Sequence, residues 1–478
     1  MRRGTGRFGK RWIVAISTLI LLLPGFLLAA DGIYRVSDFG AVPDGATVNS
    51  LPIQNAVDAA YAAGGGVVFF GPGEWLSGTI RLRSNVTLEL AAGATLLGST
   101  NLADYPEIRP EYRSYTDRYT VRSLIYAENE TNVGLRGKGK IDGQGSKFEG
   151  SLGGYAGRKE YYVRPYMIRF ITCSDVTVED LTLTNSAMWL QHYLACDRVR
   201  VDGITVFNHA NYNNDMIDID GCRDVIISNC IGDTDDDAMT LKSTHGRPCE
   251  NVTITNCILS SHCNALKFGT ESIGGFKNIT VSNIVIAPSK HREKLYGHLD
   301  GISGISLECV DGGTFEGVLI DNVRIVGPLV PLFMRLGGRG RVPVDGMEKP
   351  AAGVFRDVMI SRVSAVCAGN IGCAISGIPE HYIEDVTLRD LRFEFPGGGT
   401  EEMSKLPVEE LADKYPECTM FGELPAYGIY ARHVRGLTMD NVELRTQEKD
   451  ARPAVVFEDV EGYRYQNLLP DTKPKVRR

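Results

Sequence analysis

The sequence predicts an all-β protein, a parallel β-helix (solenoid) closed at its N-terminal end by a short helix. Three observations lead there. A phrase of alternating apolar and polar residues, broken by Asn or Asp, recurs along the chain, as in CRDVIISNCIG from Cys222 and CENVTITNCIL from Cys249. Between Cys173 and Phe276 its copies start 23, 26, 27 and 27 residues apart. One position of the phrase holds Cys173, Cys196, Cys222 and Cys249, then Phe276, Phe315 and Phe355, and a slot that exchanges Cys for Phe is apolar and inward.

A period in the twenties with β-type alternation marks a solenoid whose turns bury their inner faces against their neighbours. A leucine-rich repeat shares the period but needs a Leu/Asn framework and helices, whereas Val, Ile and Thr dominate here. Hydrophobic residues at 43% and charged residues at 23% of 478 can fill one large core and exclude disorder. A net charge of -8 and a pI near 5.6 argue against a nucleic-acid binder, which usually shows a clustered basic surface.

Taken in order, the chain opens with Arg2, Arg3, Arg7, Lys10 and Arg11 before an apolar run ending at Ala29 and Ala30. This predicts a cleaved signal peptide over residues 1–30 and a secreted or periplasmic protein, with Pro24 and Gly25 interrupting what would otherwise be an anchor. No later run is long enough to span a membrane, so residues 31–478 are expected to form a single monomeric domain with no membrane contact. A strand over Tyr34 to Ser37 and a turn at Pro43-Asp44-Gly45 come first. A helix follows over Leu51 to Ala63, with Ile53, Ala56, Val57 and Ala60 on one face and Gly64-Gly65-Gly66 ending it. Such a helix covers the open end of a stack. The repeats begin with RSNVTLEL at Arg83 and continue to FEDVEGYR at Phe457. Among the eleven cysteines the stacked ones read as an interior ladder of free thiols, with bridging between neighbouring rungs, about 4.8 Å apart, as the alternative.

A second strand precedes the phrase in the central turns: SAMWLQ from Ser186, DMIDID from Asp215, DAMTLK from Asp237, NALKFG from Asn264, SGISLE from Ser303 and VPLFMR from Val330. Alternation points their third and fifth residues inward and their fourth and sixth outward. The outward columns are then Trp189, Asp218, Thr240, Lys267 and Ser306, and Gln191, Asp220, Lys242, Gly269, Glu308 and Arg335. Asp215, Asp237 and Asn264 form a third column, with Asp236 beside Asp237 and His262 two residues before Asn264. Carboxylates this close raise at least one pKa and leave others ionised, which supplies an acid and a base. Asp-rich turns can equally satisfy backbone groups or hold calcium.

The segments NND at Asn213 to Asp215, Asp236-Asp237, and SHCN at Ser261 to Asn264 resemble the Asn-Thr-Asp, Gly-Asp-Asp and Gly-His-Gly signatures of glycoside hydrolase family 28, the polygalacturonase-like enzymes. DFGAVPDG near the start and the later GATLLGS resemble that family's opening. The resemblance implies a right-handed parallel β-helix that hydrolyses glycosidic bonds with inversion and without cofactor or metal. Asp236 would be the general acid, Asp215 and Asp237 would activate water, and His262 would tune the acid or hold substrate. It implies an acidic plant polysaccharide or oligosaccharide of the pectic type.

Two departures bear on specificity. The family's Arg-Ile-Lys strand, which grips a substrate carboxylate, is replaced by GISLE, so Ser306 and Glu308 stand where the cations would be. Lys267, Lys242 and Arg335 remain as candidate binders of a uronate, or the sugar is neutral there. Trp189 reads either as a stacking platform for a sugar ring or as a Trp packed under a loop. Tyr-rich inserts at Tyr105 to Tyr119 and Tyr155 to Tyr166 are expected to wall the cleft. An insert after Phe395, with a helix near Leu406 to Lys414, reads as a lid or as a surface excursion. A calcium-dependent polysaccharide lyase and a non-catalytic carbohydrate-binding solenoid are the alternatives on the same fold.

Overall fold

A computed structural model of the chain describes Met1, Gly4 and residues 31–148 and 163–477. The expected signal peptide, apart from Met1 and Gly4, and residues 155–162 of the second Tyr-rich insert lie outside these. Among the described residues, 33 strands pair in one continuous system. In the central turns each strand pairs in parallel with its counterpart one turn away, which makes a parallel β-helix. No helix of the described residues is long and apolar enough to cross a membrane.

One complete turn runs through Gln191–Leu194, Asp197–Asp202 and Thr205–Asn208, and the next through Ile217–Asp220, Arg223–Ser228 and Ile231–Thr234. The bends between strands need a positive φ, which an L-residue tolerates best as Asn or Asp. Asn229, Asn256, Asn283 and Asn322 supply it with φ of 59°, 56°, 57° and 56°. Their amides also bond from rung to rung, Asn322 Nδ2 donating to Asn283 Oδ1 at 2.8 Å and Asn283 Nδ2 to Asn256 Oδ1 at 3.3 Å. The recurring Asn is therefore a corner post of the solenoid.

The interior follows the repeat. Cys249 pairs with Phe276, Phe276 with Phe315 and Phe315 with Phe355, and the last two rings stack at 4.2 Å. All eleven cysteines are buried and unpaired. Thiols of the ladder donate to backbone carbonyls, Cys249 Sγ to Lys242 O at 3.0 Å and Cys222 Sγ to Tyr193 O at 3.1 Å.

The helix Ser50–Ala62 buries Ile53, Ala56, Val57, Ala59 and Ala60 against the first turns, and Gly64 and Gly65, with φ of 96° and 136°, end it. The first strand is shorter than expected, Ile33–Arg35, and a 3-10 turn Val36–Phe39 replaces its end. The helix expected at 406–414 does not form. Pro407 lacks a donor there, Leu411 takes φ 45°, and the carbonyls of Val408, Glu409, Glu410 and Leu411 accept bonds from Arg432 and Arg335 instead of helical N–H groups.

Candidate active site

The site forms where strands of one sheet begin. Asp215 lies two residues before Ile217–Asp220, and Asp237 two residues before Met239–Ser243. The turn before Asp215 is held by Asn214, whose Oδ1 accepts from the N–H groups of Ala210 and Asn211 at 2.7 Å each and whose Nδ2 donates to Ser186 O at 2.9 Å. On the next rung, Ser261 Oγ donates to Asp236 O at 2.6 Å and Thr234 Oγ1 to the same oxygen at 2.7 Å. Three carboxylates are thus fixed by their backbones before any ligand arrives.

Their environments differ. Asp237 is buried and clamped: its Oδ1 accepts from Asn264 N at 3.1 Å and Asn264 Nδ2 at 2.8 Å, and its Oδ2 lies 3.0 Å from Lys267 Nζ. Asp215 is buried, and its Oδ1 has no hydrogen-bond partner among the described residues. Burial, then Asp218 and Asp236, pushes its carboxyl well up. Asp236 is only half-buried. Burial, then the charge of Asp237, raises its carboxyl to about 6. A proton is therefore kept near neutrality on the most accessible acid, beside an acid held by a lysine.

Lys267 and Lys242 line this floor. Burial opposes the charge on Lys267, but Asp237, Tyr415 and Glu308 outweigh it, so the ammonium is stabilised. Lys242 Nζ lies 3.4 Å from Asp218 and 3.7 Å from Glu271. The sequence register puts Gly269 beside Lys242. A bulge interrupts the pairing between Leu241 and Ser243 and carries Glu271 to that place instead. Gly269 sits in the bulge at φ 112°, and a Cβ there would stand 2.8 Å from Glu308 O.

Three expected roles change. Trp189 does not align with Asp218: His192 does, and Leu194 rather than Gln191 aligns with Asp220. The strand starts only at Gln191, because Ser186 N is drawn away to Asn208 Oδ1 at 2.9 Å. Trp189 is 5% exposed, with Tyr119 above it at 5.5 Å and Lys242 Nζ 4.7 Å from its ring, so it is packed under a loop and supports the lysine. Arg335 does align with Glu308, but its guanidinium donates to Ser376 Oγ at 2.8 Å, Gly377 O at 2.9 Å and Glu410 O at 2.6 Å. It ties down the late insert and presents no free fork to a uronate. His262 is fully buried, with Nδ1 2.9 Å from Asp235 Oδ1 and Nε2 3.0 Å from His291 O. Both nitrogens are turned away from Asp215, Asp236 and Asp237, one toward Asp235 and the other toward a backbone carbonyl.

The inserts supply what the repeat could not reveal. Glu417, 153 residues from Asn264, reaches it at 3.4 Å, and Tyr415 lies 5.8 Å from Lys267 Nζ and 5.7 Å from Arg339. Arg339 pairs with Asp311, and Arg341 with Glu271. Glu308 is buried and its carboxyl is pushed up to about 8 by burial, then by Glu417 against the pull of Lys267. These inserts also join one another. Arg118 donates to Val342 O at 3.2 Å and meets Asp345 at 2.7 Å, Tyr115 N donates to Thr244 O at 3.0 Å, and Gly338 N donates to Ala412 O at 2.7 Å. The sheet is therefore covered before the aspartates, over Tyr166 and Trp189, and after them, over Arg335 and Arg432, all buried.

Comparison with known proteins follows the same lines. The sequence model of the glycosyl hydrolases family 28 matches residues 74–324. A probable polygalacturonase of Vitis vinifera is 36% identical over 217 residues, 43% of this chain and 43% of that protein. An exo-poly-alpha-D-galacturonosidase of Dickeya chrysanthemi is 37% identical over 127 residues, 25% of this chain and 21% of that protein. The matches span less than half the length of these relatives. Among solved structures, the family 28 exopolygalacturonase of Yersinia enterocolitica shares the fold with a TM-score of 0.69 at 20% identity, covering 93% of this chain and 80% of that one.

Proposed function

Because the chain belongs to family 28 of the glycosyl hydrolases, we propose that it hydrolyses glycosidic bonds of a pectic, uronate-containing polysaccharide or oligosaccharide, from a chain end and with inversion. The observation that carries this reading is the contrast among three fixed acids, in which half-buried Asp236 keeps its proton to about 6 while Asp237 is paired with Lys267.

In this mechanism Asp236 gives its proton to the glycosidic oxygen as the bond to the anomeric carbon breaks. A water attacks that carbon from the opposite face and loses its proton to Asp237, with Asp215 Oδ1 accepting its second hydrogen. The products are one new reducing end and one new hydroxyl. Asp236 leaves the cycle ionised and Asp237 protonated, and exchange with solvent resets both.

Terminal attack rests on the covered sheet on either side of the aspartates, since an internal cutter needs an open groove there. The uronate rests on Lys267 and on Glu308. As a neutral acid, Glu308 has an Oε2 with no partner among the described residues, able to donate to a carboxylate. The basic-then-apolar segment within residues 1–30 supports export to where such polymers lie.

Oligogalacturonides labelled at the reducing end, followed by chromatography and by proton NMR of the fresh anomer, test the proposal. Release of single residues from one end with inverted anomeric configuration is expected. Unsaturated, ultraviolet-absorbing ends would make the protein a lyase, and binding without new reducing ends would make it a non-catalytic solenoid.

A further inference from the structure

Beside the active site, on the flank of the solenoid, three side chains occupy one column of successive rungs. Asn208 pairs with Thr234 and Thr234 with Ser261, so His209, Asp235 and His262 follow one another at the next position. We propose that His209 Nδ1, an Asp235 carboxylate oxygen and His262 Nδ1 form a site for a divalent transition-metal ion of the zinc class, which fixes the turn carrying Asp236.

The geometry of the column fits a cation. His262 Nε2 faces the carbonyl of His291 at 3.0 Å, and a carbonyl only accepts, so that nitrogen carries the hydrogen. Its Nδ1 lies 2.9 Å from Asp235 Oδ1, where it donates as an imidazolium or, in the neutral ring that metal binding requires, turns a lone pair toward a cation. Asp235 is itself an acceptor, taking the N–H of Leu295 at 3.0 Å and of Tyr296 at 3.2 Å. His209 repeats the pattern. Its Nε2 faces Asp233 Oδ1 at 3.0 Å, and Asp233 accepts from Lys290 N at 2.9 Å, so Nε2 donates. Its Nδ1 is buried without a hydrogen-bond partner, 3.8 Å from the same Asp235 Oδ1, in a side chain 2% exposed. Two imidazole nitrogens and a carboxylate oxygen thus converge on one point, and with neutral rings that point is a place for a cation.

The geometry and surroundings suit zinc. The three ligand atoms lie within 4.8 Å of one another. Tetrahedral zinc with bonds near 2.0–2.1 Å sets its ligand atoms about 3.3 Å apart, between the 2.9 Å and 3.8 Å separations seen. Each ring donates its other N–H to a carboxylate or a backbone carbonyl, the arrangement that orients metal-bound histidines. A cavity of about 410 Å³, lined by Phe207, His209, Ala210 and His291 among others, gives the ion a way in. Because Asp235 also holds Leu295 and Tyr296, the ion would bind the insert they belong to onto the residue next to Asp236. His209, Asp235 and His262 are positioning residues in this scheme, not catalytic ones.

The full chain, incubated with zinc(II) and passed through gel filtration, should retain one zinc per chain by atomic emission, with a raised melting temperature. Cobalt(II) in its place should show tetrahedral visible bands. His209→Ala should abolish both the zinc and the thermal shift, with an unchanged circular dichroism spectrum. If that variant does not fold, Asp233→Asn, which touches no ligand atom directly, should weaken zinc about 10–100-fold. No zinc on the parent protein would overturn the proposal. So would zinc retained undiminished by the variants, since that places it elsewhere, as at Asp236, Asp237 and Cys263, the other trio among the described residues.

Discussion

Asp236→Asn should separate catalysis from stability. Burial, then repulsion from Asp237, moves the carboxyl from 3.8 to about 6 in the folded chain. A tenfold change in proton affinity corresponds to about 1.4 kcal/mol, so ionising this acid costs the fold about 3 kcal/mol. An acid whose pKa is raised holds its proton more tightly folded than unfolded. The penalty is therefore absent below about pH 4, grows as the unfolded chain ionises, and is complete above about pH 6. Asn cannot ionise and nearly preserves the shape. The variant should match the parent in urea unfolding near pH 4 and exceed it by roughly 3 kcal/mol at pH 8. Its turnover should fall about a thousandfold, since a positioned general acid contributes roughly 10²–10⁴. The parent's own rate should decline as pH rises through about 6. A variant with near-parent activity, or one no more stable than the parent at pH 8, would refute the assignment of the proton to Asp236.

Two further substitutions probe the surroundings. Lys267→Met leaves Asp237, Glu308 and Glu417 facing one another without their cation, and breaking such a buried pair should cost about 3–5 kcal/mol and most of the activity; unchanged denaturation midpoints would show that Lys267 is no clamp. Arg335→Ala frees the carbonyls of Glu410 and Leu411. Limited proteolysis should then cut the 406–417 segment first, with KM rising more than kcat falls; a protected segment would refute the tie.

What the sequence discloses here depends on which way a side chain points. Inward residues repeat because each must fit the same slot one rung later, so Cys249, Phe276, Phe315 and Phe355 can be aligned by eye and pair as aligned. The corner asparagines repeat for a backbone reason, and the aspartates of the site can be placed because they flank those regular strands. Outward residues obey no such rule. A three-residue slip before Gln191 is enough to take Trp189 out of its column, since Ser186 and Asn208 hold each other by hydrogen bonds that no periodicity announces. A bulge at Gly269 substitutes Glu271 for a glycine in the same way. For Arg335 the column is right and the role is not, because two of its four partners, the carbonyls of Glu410 and Leu411, come from an insert 75 and 76 residues away. The same insert brings Glu417, without which Glu308 would keep its proton less tightly. In the proposed mechanism substrate choice falls to these non-repeating segments, because the solenoid sets where the acids stand and the inserts set what surrounds them. That is why the acids are legible in the sequence while the specificity is not, and why exchanging inserts between related solenoids should alter the polymer cut before it alters the chemistry of cutting.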